Sequence, residues 1–123
     1  MTSFTKNYLE NLKGFHKKKI NEVVILLYHG VTKIKSYGVE NYSCKHMMDN
    51  VFFEQMKFLK MHCNPISIND YVDISKNGDK LPPNSVIITF DDGFRNNFTV
   101  AAPMLDELRI PAIFYISSGI VNT

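Results

Sequence analysis

The stretch Val86-Ile87-Ile88-Thr89-Phe90-Asp91-Asp92-Gly93 decides the fold class of this chain. Its apolar, β-branched start reads as a buried strand. Two adjacent carboxylates at the end of such a strand are costly to bury without partners. Successive strand residues alternate faces, so Asp91 and Asp92 should point in different directions. One can then bind a metal while the other acts as a base nearby. Gly93 lets the chain turn sharply away. Asp-Gly is also an ordinary turn dipeptide, so these residues alone leave a site and a polar turn equally open.

Working outward, Val23–Tyr28 is an apolar run without polar interruption, the pattern of a parallel strand covered on both faces. Lys33 to Asn50 reads as a long loop after a strand end, where α/β enzymes place substrate-binding loops. Phe52, Met56 and Leu59 recur at helical spacing, with Phe53 widening a stripe suited to core packing. Asp49 or Asn50 is the expected cap of that helix, and Asn64-Pro65 its end. Ile66–Ile68 reads as a short strand. Asn69–Ser75 reads as a short helix, capped by Asn69 or Ser67 and stopped at Asn77-Gly78. Leu81-Pro82-Pro83-Asn84 is a rigid connector into the third strand, Val86–Phe90. Asn97 to Leu108 follows as a helix on Val100, Met104 and Leu108, in which Pro103 must either kink the helix or start its regular part. Ile113–Ile116 is the fourth strand. Strands alternating with helices predict a parallel sheet with right-handed crossovers.

The chain has 123 residues, enough for one domain with a modest core. At 45% hydrophobic and 12% aromatic residues it should fold. A formal charge of +2 gives no pointer to nucleic acid. The run His16-Lys17-Lys18-Lys19 is expected to be a solvated flank of the first strand, within a basic extension over residues 1–22 and a short helix near Tyr8–Phe15. That extension holds no apolar stretch of the ~7–15 residues a secretory signal needs. Val23 to Tyr28 is too short to cross a bilayer, which takes ~20 residues. A cytoplasmic location is the simplest expectation. Cys44 and Cys63 are expected as reduced thiols. Cys44-x-His46 and His62-Cys63 suggest zinc, but ligands usually stand two or more residues apart on each arm, which favours a structural role.

Thr-Phe-Asp-Asp-Gly-Phe-Arg-Asn-Asn-Phe (89–98) resembles the first signature motif of the polysaccharide deacetylases, carbohydrate esterase family 4. Leu27-Tyr28-His29-Gly30-Val31 resembles that family's first strand, and Phe53-Glu54-Gln55-Met56-Lys57-Phe58-Leu59 its following helix. Pro65-Ile66-Ser67-Ile68, Ala102-Pro103-Met104-Leu105 and Ile110-Pro111-Ala112-Ile113-Phe114-Tyr115-Ile116 resemble later pieces in the same order. The resemblance covers roughly residues 23–120 and implies an α/β fold, the first half of a distorted β/α barrel, over residues 23–123. It implies a metal-dependent hydrolase that removes N-acetyl groups from a polysaccharide or oligosaccharide. Asp91 would be the catalytic base and Asp92 a ligand of a divalent metal, zinc foremost. The family's second motif, a His-x-x-x-His-type pair that supplies two further ligands, does not occur in these 123 residues. The activity is therefore expected only with a C-terminal half. Proteins of this family are often exported, which bears against a cytoplasmic location.

His29 ends the first strand at the same face as the two carboxylates. It could line a substrate pocket or bond to one of them, or simply pack. Arg95 could contact a sugar or Asp91, or lie on a helix surface. Tyr28 is expected in the core and Thr89 bonded within the sheet. His16, His46 and His62 are expected at the surface. Two other readings compete. One is a non-catalytic relic, or a partner-dependent half, that binds carbohydrate. The other is a phosphotransfer receiver-like domain, disfavoured because the first strand closes on Tyr28-His29 and not on acids.

Overall fold

A computed structural model describes residues 21–34 and 44–120. The helix expected near Tyr8–Phe15, the run at His16 and most of the basic extension lie outside them. The described elements run β1 (Val23–Tyr28), β2 (Gly30–Thr32), β3 (His46–Met48), α1 (Asp49–His62), β4 (Asn64–Pro65), α2 (Ile68–Asn77) and β5 (Ser85–Phe90). A π-helical turn (Asn97–Ala101), α3 (Ala102–Glu107), β6 (Ala112–Phe114) and a 3-10 turn (Ser118–Ile120) follow.

The main sheet is parallel and built around β5. On one side β1 pairs along its whole length, from Val23 opposite Ser85 to Tyr28 opposite Phe90. The other side is shared: β4 pairs with Ser85 and Val86, and β6 with Ile88, Thr89 and Phe90. β5 is therefore buried at all six positions. It carries the apolar run that the sequence marks as the centre of the fold. Thr89, on this strand, donates its hydroxyl to the Leu26 carbonyl at 3.0 Å, as a buried hydroxyl needs.

One face of the sheet holds the core. Tyr28, Val86, Ile88 and Phe90 pack there with Phe52, Met56 and Leu59 of α1, and with Ala101 and Leu105. The Phe52–Met56–Leu59 stripe is fully buried. Tyr28 meets Phe52 edge-on at 5.3 Å and stacks on Phe90 at 5.5 Å, and Phe90 stacks on Phe114 at 4.8 Å. The other face is covered at β5 but not at β1, where Ile25 and Leu27 are 61% and 55% exposed. The double cover expected from the run Val23–Tyr28 is thus only half present among the described residues. The edge strand β6 leads into a second apolar surface at Tyr115 and Ile116.

Four local expectations change. The stretch read as a loop up to Asn50 ends in β3, which pairs in parallel with β2, and α1 already begins at Asp49. The N-cap of α1 is Met48, which makes no side-chain cap; Asp49 and Asn50 lie inside the first turn. The strand expected at Ile66–Ile68 is Asn64–Pro65, although Ile66 N–H still reaches the Val86 carbonyl at 2.9 Å. The displacement follows from Ser67, whose capping box with Asp70 draws Ile68 into α2. The last strand stops at Phe114 because its partner β5 ends at Phe90, whose carbonyl takes the final bond from Tyr115 N–H at 2.8 Å.

Pro103 starts the regular part of its helix. It has no N–H to give, and just before it the chain closes a wider turn, with Ala102 N–H bonded to the Asn97 carbonyl. α2 ends at Gly78, whose φ of 71° suits glycine. Among the described residues no helix is long and apolar enough to cross a membrane.

Candidate active site

β5 delivers the two carboxylates to the C-terminal edge of the sheet. Asp91 extends the ladder by one bond, its N–H meeting the Tyr28 carbonyl at 2.9 Å. Asp92 and Gly93 then take left-handed backbone, φ 72° and 64°. Asp tolerates this region better than most residues, and glycine adopts it freely. The turn takes Asp92 off the strand, so the left-handed backbone, and not strand alternation, sets its direction.

Asp92 Oδ2 lies 3.2 Å from Lys45 Nζ and 3.9 Å from His29 Nε2. Lys45 and Asp92 are each nearly half exposed, so solvent screens the pair and holds its contribution to about 0–1 kcal/mol. Among the described residues no side chain bonds to the Asp91 carboxylate, which leaves it open to a substrate or water. His29 thus stands where the sequence places it, at the end of β1 and beside one of the acids. Arg95 makes no contact with Asp91. It is exposed and lines a smaller apolar cavity of about 340 Å³ with Gly93, Phe94, Phe98 and Phe114.

A larger cavity of about 860 Å³ opens beside β1 and α1, with Leu27, His29, Lys45, Met47 and Gln55 in its wall. Gln55 is almost fully buried. Its Oε1 accepts from the Tyr28 hydroxyl at 3.0 Å, while its Nε2 has no hydrogen-bond partner among the described residues. Asn97, in the smaller cavity, is buried, and neither atom of its side-chain amide is bonded among the described residues.

The residue that sequence reasoning misplaced is His46. Expected at the surface, it lies half-buried between β2 and the segment after the two acids. Its Nδ1 is 2.8 Å from Asn96 Nδ2, and its ring meets Phe94 edge-on at 4.5 Å. Burial, and then the nearby His29, push its pKa below the usual histidine value. Gly30 makes room for it, since a Cβ there would fall 2.0 Å from Nδ1. No linear spacing flags this residue, because residues 30, 46 and 96 meet only in three dimensions. His62 is exposed and packs on Phe58 at 4.6 Å. Cys44 and Cys63 are free thiols, and burial raises the pKa of Cys63. Among the described residues, no three His, Cys, Asp or Glu side chains converge as a metal site. His16 lies outside the described residues.

Comparison with known proteins agrees with this geometry. Residues 78–123 match the polysaccharide deacetylase family profile. The chain is 32% identical over 118 residues to a poly-beta-1,6-N-acetyl-D-glucosamine N-deacetylase of Staphylococcus aureus, covering 86% of this chain and 39% of the relative. Among solved structures it is similar to IcaB from Ammonifex degensii, with 25% identity, a TM-score of 0.69, and 83% of this chain on 41% of that one. A de-N-acetylase from Aggregatibacter actinomycetemcomitans matches at 25% identity and a TM-score of 0.63, over 75% of this chain and 36% of that one. The chain thus spans about two fifths of the length of the relatives it matches. The paired acids at the end of a central parallel strand and the α/β fold around them thus lie in a chain that is similar to the polysaccharide deacetylases over part of their length.

Proposed function

We propose that this chain contributes the acid–base half of a polysaccharide N-deacetylase site, hydrolysing N-acetyl groups on an amino-sugar polymer. The observation that carries the reading is the split environment of Asp91 and Asp92. One carboxylate is open and the other is held beside His29 and Lys45. Hydrolysis adds water across the amide to give acetate and a free amine. A carboxylate within reach of that water can take its proton as the carbon–oxygen bond forms, and the nitrogen leaves with a proton. Asp91 fits the first task, since among the described residues no side chain bonds to its carboxylate at the sheet edge. His29 and Arg95 are the substrate-contacting candidates. His29 borders the larger cavity and Arg95 the smaller one.

Catalytic zinc normally takes three protein ligands. Among the described residues no three candidate ligands converge, so they do not complete a metal centre. Within the reading proposed here, Asp92 is a ligand to a divalent metal, zinc foremost, and further ligands come from elsewhere in the domain. The exposed Ile25, Leu27 and Ile116 support the same division, because they are the surfaces a fuller barrel would cover. A partner-dependent half is the second reading, and these open surfaces favour it over a relic. Acetate release from poly-N-acetylglucosamine separates either of these readings from a relic. Turnover by a protein carrying the complete domain, and none by the 123-residue chain, supports the proposal. No release by the complete protein would overturn it.

A further inference from the structure

The segment that follows the two acids is held by one imidazole. Asn96 Oδ1 lies 3.3 Å from Val31 N–H of β2. A backbone N–H can only donate, so this contact fixes the orientation of the Asn96 amide and turns Nδ2 toward His46 Nδ1. Nδ2 also only donates. His46 Nδ1 must therefore accept, and the ring is neutral with its proton on Nε2. Phe94 packs against the same ring. Phe94 and Asn96, the second and fourth residues after Asp92, thus both rest on His46. Gly30 holds open the space the ring fills, and its own N–H bonds to the Lys45 carbonyl at 3.1 Å.

We infer that His46 is a positioning residue, which fixes the turn bearing Asp91 and Asp92 through a neutral imidazole accepting from Asn96. The effect on turnover rests on the deacetylase reading; the effect on the turn does not. A second proton on the ring would set two donors against each other and release Asn96. The lowered pKa of His46 agrees with this, since the folded site favours the neutral ring. The titratable and charged neighbours on the packed elements are His29 at the end of β1, Lys45 beside β3, Asp49 in α1, and Asp91, Asp92 and Arg95 on the segment itself.

The test is nuclear magnetic resonance of the 123-residue chain, which reads the His46 tautomer and the backbone amides of Asp92 to Asn96 through a pH titration. It is repeated in His29→Gln to remove the imidazole nearest the acids. The expected result is an Nε2-protonated ring at neutral pH, with the amides shifting together as His46 gains its second proton. His46→Asn keeps an oxygen acceptor near the Nδ1 position and should abolish that titration while preserving the amide pattern. His46→Phe keeps the ring and removes the acceptor, so the Asn96 amide should show faster hydrogen exchange. In the complete domain, His46→Phe should lower kcat about 10- to 100-fold with little change in KM, and His46→Asn should restore it. An Nδ1-protonated ring, or amides that ignore its titration, would overturn the inference. These two readouts use no turnover, so they stand apart from the fate of the deacetylase reading.

Discussion

Gly30→Ala probes the packing behind the acidic turn. The new Cβ would lie 2.0, 2.4 and 2.7 Å from His46 Nδ1, Cε1 and Cγ, closer than non-bonded atoms can stand. Gly30 is not among the residues with left-handed backbone, so the penalty is steric. The ring cannot simply swing aside, because it is bonded to Asn96 and packed on Phe94. Moving it gives up a hydrogen bond worth about 1 kcal/mol and an aromatic contact worth about 0.5–1.5 kcal/mol. Residual overpacking raises the total to about 2–4 kcal/mol. That is a large share of the stability of a small domain. Urea unfolding of the single variants Gly30→Ala and His46→Ala, and of the pair, measures it. Truncating His46 removes both the clash and the bond, so the double variant should be about as stable as His46→Ala alone. The coupling should then equal the cost of Gly30→Ala itself, about 2–4 kcal/mol. If the two single costs simply add, His46 does not occupy the space over Gly30 and the account of the turn is wrong.

Further outcomes follow from other residues. Tyr28→Phe should destabilise by about 1–3 kcal/mol, because it strips the bond to Gln55 Oε1 and leaves that buried amide wholly unsatisfied. Adding Gln55→Met should recover most of the loss in the same urea assay. The capping box of α2 makes Ser67→Ala costly, by about 1 kcal/mol. The bonds from Ser67 hold the Asp70 carboxyl below its ordinary pKa. A depressed carboxyl stabilises the fold above its unfolded pKa, and the contribution is lost as pH falls through the folded value. Acid titration of Asp70→Asn should therefore show a shallower loss of helix than the parent below about pH 4. Calorimetric titration of the 123-residue chain with zinc should show no tight binding, since no three candidate ligands converge among the described residues. Stoichiometric tight binding abolished by Asp92→Asn would contradict that ligand count.

The centre of the fold was legible because β5 is buried on both faces and must be apolar throughout, and α1 because its Phe52–Met56–Leu59 stripe repeats at the helical period. The acids were legible from their place at the strand end. Boundaries shifted where local chemistry outweighed pattern, as at Ser67, whose capping box starts a helix two residues after β4. The pairing of β2 with β3 left no trace in the linear sequence, because three-residue strands carry too few alternations to register. His46 was missed for a related reason. Its role depends on Gly30 and Asn96, distant along the chain, and a lone histidine near a loop carries no spacing of its own. The exposed Ile25 and Leu27 were read as covered, because an apolar run does not tell which residues will cover it.

The central claim is that Asp91 takes the proton. The most direct measurement compares kcat for acetate release by the complete domain with that of its Asp91→Asn variant, with bound metal quantified in both. The account predicts a fall of about 10²- to 10⁴-fold in kcat with metal content unchanged. Turnover within a few-fold of the parent would contradict it.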